Sequence, residues 1–434
     1  MAHILFITPY YPPEITPPAI RISDTAMRLL NLGYQVTILT TFPNFPTGIV
    51  PREYRGRMIQ HEERHGVNIV RVWSYVCPNK GFLRRLLAQL SFACLAPFLG
   101  WKAIGRPDVI VVESPPLFDA IGGRFLSWCK RCPFIFTVAD LWPESAVQLG
   151  MLRNRLLIGL AEWLEWSTYR RAGAVWALTE GIRDVLIKRG LPPEQVFLVT
   201  NGVDTRKFRP LPKAQARAEL GWDDRFTILY AGNHGLVYGM TTVLDAANLL
   251  RDVADIRFVL AGDGVKKADL ITEAKRRDLK NITFLDSVPH DQMPLLLAGA
   301  DLCLIPLRKL PLLKGTLPFK MFEIMACARP FILGVEGIAR QLVEQEALAI
   351  SVKPEDPDEL VAAILYLREH SEVAEALGQR GRAFVETRFD REQLTKELDT
   401  RITKLLERRG TNSLPLTPAT VYAVAEKSQS HCKE

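Results

Sequence analysis

Paired cysteines are scarce in this chain of 434 residues. Its seven cysteines, at positions 77, 94, 129, 132, 303, 327 and 432, are scattered and odd in number, and suggest no secreted disulfide framework. Cys129 and Cys132 form a Trp-Cys-Lys-Arg-Cys run. A redox pair of this spacing opens a helix after a strand, whereas here it closes a helical pattern. No second pair completes a zinc site, so core or surface thiols are the simpler reading. Long hydrophobic runs are missing too. The most apolar segment, 86–101, falls short of the roughly 20 residues that span a bilayer and is interrupted by Gln89 and Pro97. Residues 1–9 lack the basic region, apolar core and cleavage site of an export signal and read as a buried strand, so the chain is expected to stay in the cytoplasm. Aromatic and basic residues interleave in no recognisable nucleic-acid module, and no nucleic-acid partner is expected.

What is present suits two domains of ordinary size, with 48% hydrophobic and 24% charged residues. The formal charge of +7 is unevenly placed. Residues 1–205 hold 22 Lys and Arg against 16 Asp and Glu, net +6, and 52–106 alone holds 10 basic and 3 acidic residues. Arg84, Arg85, Lys102 and Arg106 flank the apolar segment. Two readings stand for it: a buried helix, or a helix in the membrane interface held by apolar burial and anionic lipid. On the second reading the region 82–106 makes a membrane surface a partner, with peripheral association at the inner face of the plasma membrane.

Strand-like runs at 4–8, 36–40, 68–73, 108–113, 134–139, 174–178 and 196–200 alternate with helical spacings at 19–32, 117–129, 156–171 and 181–188. This is the pattern of βα units on a parallel sheet. Turn formers and prolines over 201–213 mark a linker. A second series follows at 227–231, 257–261, 282–285, 302–306, 331–333 and 349–352. The expected fold class is α/β, with two doubly wound Rossmann-like domains at 1–205 and 206–385 and a cleft between them. A charged helix ends near residue 408, and 409–434 reads as a disordered polar tail.

Loops after the C-terminal ends of parallel strands bind ligands in such sheets, and four stand out. The first, residues 9–18, carries five prolines, Glu14, Thr16 and Pro17 before a helix with Arg21 just inside it. Its helix start can face an anion, or the loop can be merely rigid. The second, Asp140-Leu-Trp-Pro-Glu144, offers a carboxylate and the Trp142 indole, a pairing that suits a sugar; a helix-capping acid is the alternative. The third, Gly232-Asn-His-Gly235, with Gly262-Asp-Gly264 in the next unit, lets backbone N–H groups approach a diphosphate, as a plain turn also would. The fourth is 317–332, where Leu317, Pro318 and Phe319 open a short helix bearing Lys320 and Glu323. Pro318 suits the first turn, whose free N–H groups and Lys320 make a phosphate site. Glu323 shares that face at i+3 and is suited to ribose hydroxyls, unless the two form an ordinary surface pair.

Together these motifs resemble glycosyltransferase family 4, two-domain GT-B enzymes that use nucleotide sugars. The resemblance covers about residues 3–408. It rests on Pro9-Tyr-Tyr-Pro-Pro-Glu14, Asn201-Gly-Val-Asp-Thr-x-x-Phe-x-Pro210, Gly262-Asp-Gly264 and the wording from Phe284 to Pro306. Asp140-Leu-Trp-Pro-Glu-Ser145, Gly232-Asn-His-Gly235 and Pro318-x-Lys-x-x-Glu323 resemble the branch that builds bacterial surface polysaccharides, including N-acetyl-fucosamine transferases. The chain departs from the family at Gly315, where a Glu is frequent, and at Asp140, where a His is frequent. Leu236–Thr242 lacks the usual Arg and Lys, and Thr16-Pro17 replaces a Gly-Gly pair.

The resemblance implies a donor site for a UDP-sugar made of Gly232, Asn233, His234, Gly235, Gly262, Asp263, Val288, Leu317, Pro318, Phe319, Lys320 and Glu323. Arg308, Lys309 and Lys314 are further phosphate helpers. It implies an acceptor side with Glu14, Thr16, Pro17, Arg21 and Trp142, and a final helix packing back towards the N-terminal domain. Asp140, Lys320 and Glu323 are the catalytic candidates, with Asp140 the base if the reaction inverts configuration. Family membership implies retention, in which the leaving phosphate takes the acceptor proton. The acceptor implied is lipid-linked or a saccharide. No metal site of the Asp-x-Asp type is evident, so neither metal nor cofactor is expected beside the donor. Two alternatives share the architecture: a UDP-N-acetylglucosamine 2-epimerase-like isomerase and a non-catalytic sugar-nucleotide binder.

Overall fold

The computed structural model describes residues 1–45, 47–77, 82–148, 150 and 152–412, without the side chains of 82, 83 and 409–412. Most of the tail expected to be disordered lies outside the described residues; 409–412 continue the last helix, Arg391–Asn412.

Eight strands form the first sheet: β1 His3–Ile7, β2 Gln35–Thr41, β3 Ile59–Arg64, β4 Val67–Val72, β5 Val109–Ser114, β6 Phe134–Val138, β7 Ala174–Ala177 and β8 Val196–Leu198. Their spatial order is β3-β4-β2-β1-β5-β6-β7-β8, parallel except for the β3–β4 hairpin. β1, β5 and β6 are buried on both faces, which is why they read as continuous apolar runs. β3 was not expected, because Ile59-Gln-His-Glu-Glu-Arg64 has almost no apolar content. It is a half-exposed edge strand, paired through a tight turn in which His65 and Gly66 both take positive φ. Charges along such an edge discourage pairing with another chain.

The second sheet holds β9 Phe226–Ala231, β10 Ile256–Ala261, β11 Ile282–Leu285, β12 Leu302–Pro306, β13 Phe331–Gly334 and β14 Ile350–Val352. It is wholly parallel, in the order β11-β10-β9-β12-β13-β14. Both sheets are covered by helices on both faces, giving each domain a pair of cores.

Two chain crossings join the domains. At one, Val203 N donates to Phe389 O (2.9 Å) and Arg391 N to Val203 O (3.1 Å), so the linker and the end of the second domain run side by side. Beyond that bridge the Arg391–Asn412 helix returns to the first domain. Leu398 and Ile402 enter its core, and the Tyr34 hydroxyl donates to Asp399 (2.6 Å).

Candidate active site at the interdomain cleft

Strand order decides where each sheet opens. In the second sheet the order reverses between β9 and β12, and in the first between β1 and β5. The loops that follow those strands part there, leaving a crevice. The two crevices face one another across one cavity of about 1340 Å³, lined from both domains.

On the second-domain side, Lys320 sits in the first turn of the Phe319–Ala326 helix, with Pro318 at the position just before it rather than within the first turn. The Lys320 ammonium is buried, has no hydrogen-bond partner among the described residues, and lies 4.0 Å and 4.6 Å from the Tyr230 and Tyr238 ring centres. Burial pushes its pKa down to about 7, against a smaller opposing pull from Glu323. A buried cation held only by aromatic faces beside free helix N–H groups is an anion site in waiting. Gly232, at φ 145°, makes room for it, since a Cβ there would strike the Lys320 ammonium. Gly262, at φ 140°, likewise allows the loop after β10 to lie directly against the Gly232 carbonyl.

Glu323 lies one turn beyond Lys320 and is mostly buried. Its Oε1 is 2.7 Å from His290 Nε2, and Lys207 Nζ is 3.3 Å from His290 Nδ1. Lys207 can only donate, so Nδ1 accepts and Nε2 carries the hydrogen given to Glu323. The His290 ring also packs on Phe208, 5.1 Å between centres. Linker residues thus orient a histidine that in turn orients the carboxylate.

On the first-domain side, Glu14, Thr16, Pro17, Tyr10, Pro116 and Asp119 line the cavity. Asp119 opens the helix after β5, is 1% exposed, and neither carboxyl oxygen has a partner among the described residues. Burial, reinforced by the Glu113 carboxylate, pushes its pKa well above the ordinary carboxyl value. That favours the protonated acid, a hydrogen-bond donor facing the cleft.

Residues 18–202 match the Glycosyl transferase 4-like domain and 212–384 match Glycosyl transferases group 1. Together they span most of the chain. It belongs to the GT-B glycosyltransferases. A glycosyl transferase named for colanic acid biosynthesis, WcaI of Escherichia coli, is 28% identical over 401 residues, 89% of this chain and 96% of that one. An α-D-kanosaminyltransferase of Streptomyces kanamyceticus is 28% identical over 294 residues, 66% of this chain and 68% of its own. In fold the transferase is similar to sucrose-phosphate synthase from Thermosynechococcus elongatus, at TM-score 0.73, 18% identity and coverage of 94% and 100%. It is also similar to HepE of Anabaena in complex with UDP and glucose, at TM-score 0.68, 19% identity and coverage of 93% and 100%.

Of the residues singled out from the sequence, Gly232, Asn233, Gly235, Gly262, Asp263, Val288, Pro318, Phe319, Lys320 and Glu323 meet Glu14, Thr16 and Pro17 around the cavity of the transferase. Eight do not line it. His234 is turned inward, stacked on Tyr230 at 5.6 Å, and burial holds its pKa down at about 4, so it is neutral filling. Leu317 packs against the second-domain core. Arg21 is buried in an ion pair with Glu113, which consumes the charge expected to face an anion. Asp140 follows β6, one strand beyond the crevice, and Trp142 faces a separate apolar trough. Within the cavity, Glu14 is occupied as a loop tie, accepting from Asn44 N (2.9 Å) and Phe45 N (2.8 Å), and Thr16 accepts from Ala19 N (3.3 Å) as a helix cap. Arg308 pairs with Glu355, and Lys309 and Lys314 with Glu336, outside the cleft lining.

Asp119 and His290 were missed. His290 stands in a Val-Pro-His-Asp-Gln run that reads as an ordinary turn, and only its contact with Glu323 reveals it. If the donor is a UDP-sugar, substituting His290→Ala in the transferase is expected to weaken UDP binding by about three- to tenfold, the worth of one charge-assisted hydrogen bond. Titration calorimetry checks this, and unchanged affinity shows that Glu323 needs no such support.

Proposed function

We propose that the enzyme moves an N-acetylated amino sugar from a UDP-sugar to a lipid-linked or saccharide acceptor, with retention, in cell-surface polysaccharide biosynthesis. The observation that carries this is the Lys320 ammonium, without a hydrogen-bond partner among the described residues, beside a helix start at the second-domain crevice. As the glycosidic bond breaks, negative charge grows on the departing diphosphate, and a preorganised cation acts where it develops. Glu323 Oε2 takes a ribose hydroxyl while His290 holds Oε1. Asn233 and the glycines of both loops bring N–H groups to the phosphates. The leaving phosphate accepts the proton of the attacking hydroxyl, so no protein base is obligatory. The name of the colanic acid relative supports the polysaccharide part of this reading, that of the kanosaminyl relative an amino sugar, and UDP in a structure of the same fold the donor.

Asp119 serves the acceptor side as a hydrogen-bond donor. Asp119→Asn keeps a donor and is expected to stay within about threefold of the native acceptor kcat/KM. Asp119→Leu should lose about ten- to a hundredfold with UDP binding unchanged, and equal loss of UDP binding would reduce the residue to a structural one.

No described helix is long and apolar enough to cross a membrane. Peripheral attachment at the cytoplasmic face through 82–106 is part of the proposal and is tested by sedimentation with anionic vesicles. The decisive assay incubates the enzyme with a panel of UDP-amino sugars and lipid-linked acceptors and follows UDP release and product anomer. Among the described residues no three metal-ligating side chains cluster. We expect undiminished transfer in excess EDTA; loss restored by a divalent ion sinks the metal-free mechanism. Sugar change without acceptor would identify an isomerase instead.

A further inference from the structure

The Phe82–Leu99 and Asp119–Lys130 helices pack on one another, with Gly122 against the Ala93 carbonyl, and the Arg155–Arg171 helix lines the same concavity beside them. Between them lies a trough of about 960 Å³, distinct from the interdomain cavity and lined mainly by apolar side chains. Trp128 is 79% exposed, Trp163 61% and Leu160 60%, although all three line it. Large apolar side chains kept open to water around one concavity mark a binding surface rather than an unfinished core.

Two features select the occupant. Arg124 and Arg171 line the trough, and no salt bridge to a carboxylate is made by either among the described residues. Arg124 instead donates to Ser167 Oγ (2.8 Å), and its guanidinium pKa is lowered by burial and by Arg171. Two cations left together without an acid call for an anion. The trough also borders the active site. Leu86 and Leu90 face it from the same helix whose Arg85 and Gln89 line the cleft, and Phe118 lines the trough while the next residue, Asp119, lines the cleft. Phe118 and Trp142, edge to face at 5.4 Å, form the wall between.

We propose that this trough binds the hydrocarbon chain of a prenyl-phosphate acceptor, with Arg124 and Arg171 taking its phosphate charge. The inference rests on the lipid-linked reading of the acceptor. A concave trough of this size encloses one long chain on several sides, whereas a bilayer surface engages protruding faces. Trp142 thereby gains a place beside the acceptor's chain instead of its sugar.

The test uses the full chain and measures quenching of tryptophan fluorescence by geranylgeranyl monophosphate and by isopentenyl monophosphate. The long chain is expected to bind at least about tenfold tighter than the short one. Trp163→Glu and Leu160→Glu, both at exposed positions, should each weaken the long chain by about tenfold and leave the short chain and UDP unaffected. Arg171→Ala should weaken geranylgeranyl monophosphate but not geranylgeraniol. Equal affinity for the two chain lengths, or indifference to both glutamate variants, overturns the proposal. So does association with phosphatidylglycerol vesicles without binding of the dispersed prenyl phosphate, which would make the face a membrane dock. Transfer from a UDP-sugar with no chain binding sinks the trough and spares the functional reading. Chain binding without transfer from any UDP-sugar does the reverse.

Discussion

Lys320→Met is expected to lower kcat by about a hundred- to a thousandfold while raising the melting temperature. The rate loss is the usual effect of deleting one charge-stabilising group from a transition state. The stability gain follows from burial. In the free enzyme the ammonium has no hydrogen-bond partner among the described residues, and methionine replaces it with a similar volume and no charge. Its folded pKa of about 7 lies below the ordinary 10.5, so the unfolded chain binds more protons between those values. Stability of the native enzyme therefore rises with pH across that window, and the cost of the buried charge is fully present below it. The variant lacks this slope. Binding UDP favours the charged amine, so above about pH 7 the native enzyme takes up a proton with the ligand and its affinity declines as pH rises. Calorimetry in buffers of different ionisation enthalpy reads that uptake, which Lys320→Met abolishes. An active variant, or one that has lost both stability and activity, removes Lys320 from the proposed role.

Glu323→Ala should weaken UDP binding by about ten- to a hundredfold, the value of hydrogen bonds to a charged acceptor in a mostly buried site. The loss should appear in the donor KM more than in kcat, because ribose contacts are alike in ground and transition states. The 2′,3′-dideoxy analogue of UDP separates this from general damage. Native enzyme and variant should bind the analogue with similar affinity. If the variant loses as much for the analogue as for UDP, Glu323 touches something other than the ribose. His290→Ala combined with Glu323→Ala should cost no more than Glu323→Ala alone, since the histidine acts through the carboxylate.

The alternation of apolar runs and helical spacings was readable because parallel strands buried on both faces carry no polar interruptions. Lys320 and Glu323 were readable because i and i+3 share a helix face whatever surrounds it. β3 escaped because a half-exposed hairpin edge needs little apolar content. Asp140 was placed at the site and Asp119 overlooked for one reason. Both follow strands, but only β5 borders the reversal of strand order, and β6 lies one position away. Arg21 looked like a free cation because Glu113, 92 positions along the chain, is invisible from local pattern.

The order of residues along the chain determined the two-domain α/β architecture, the linker and the shared helix face of Lys320 and Glu323, all set by short-range periodicity and turn chemistry. Tertiary structure alone decided which loops meet in the cleft, which charges are consumed in buried pairs, and that an apolar trough stands open beside Trp142. Those outcomes depend on contacts between residues far apart in sequence, where burial and charge are settled by the neighbour that arrives and not by the residue itself.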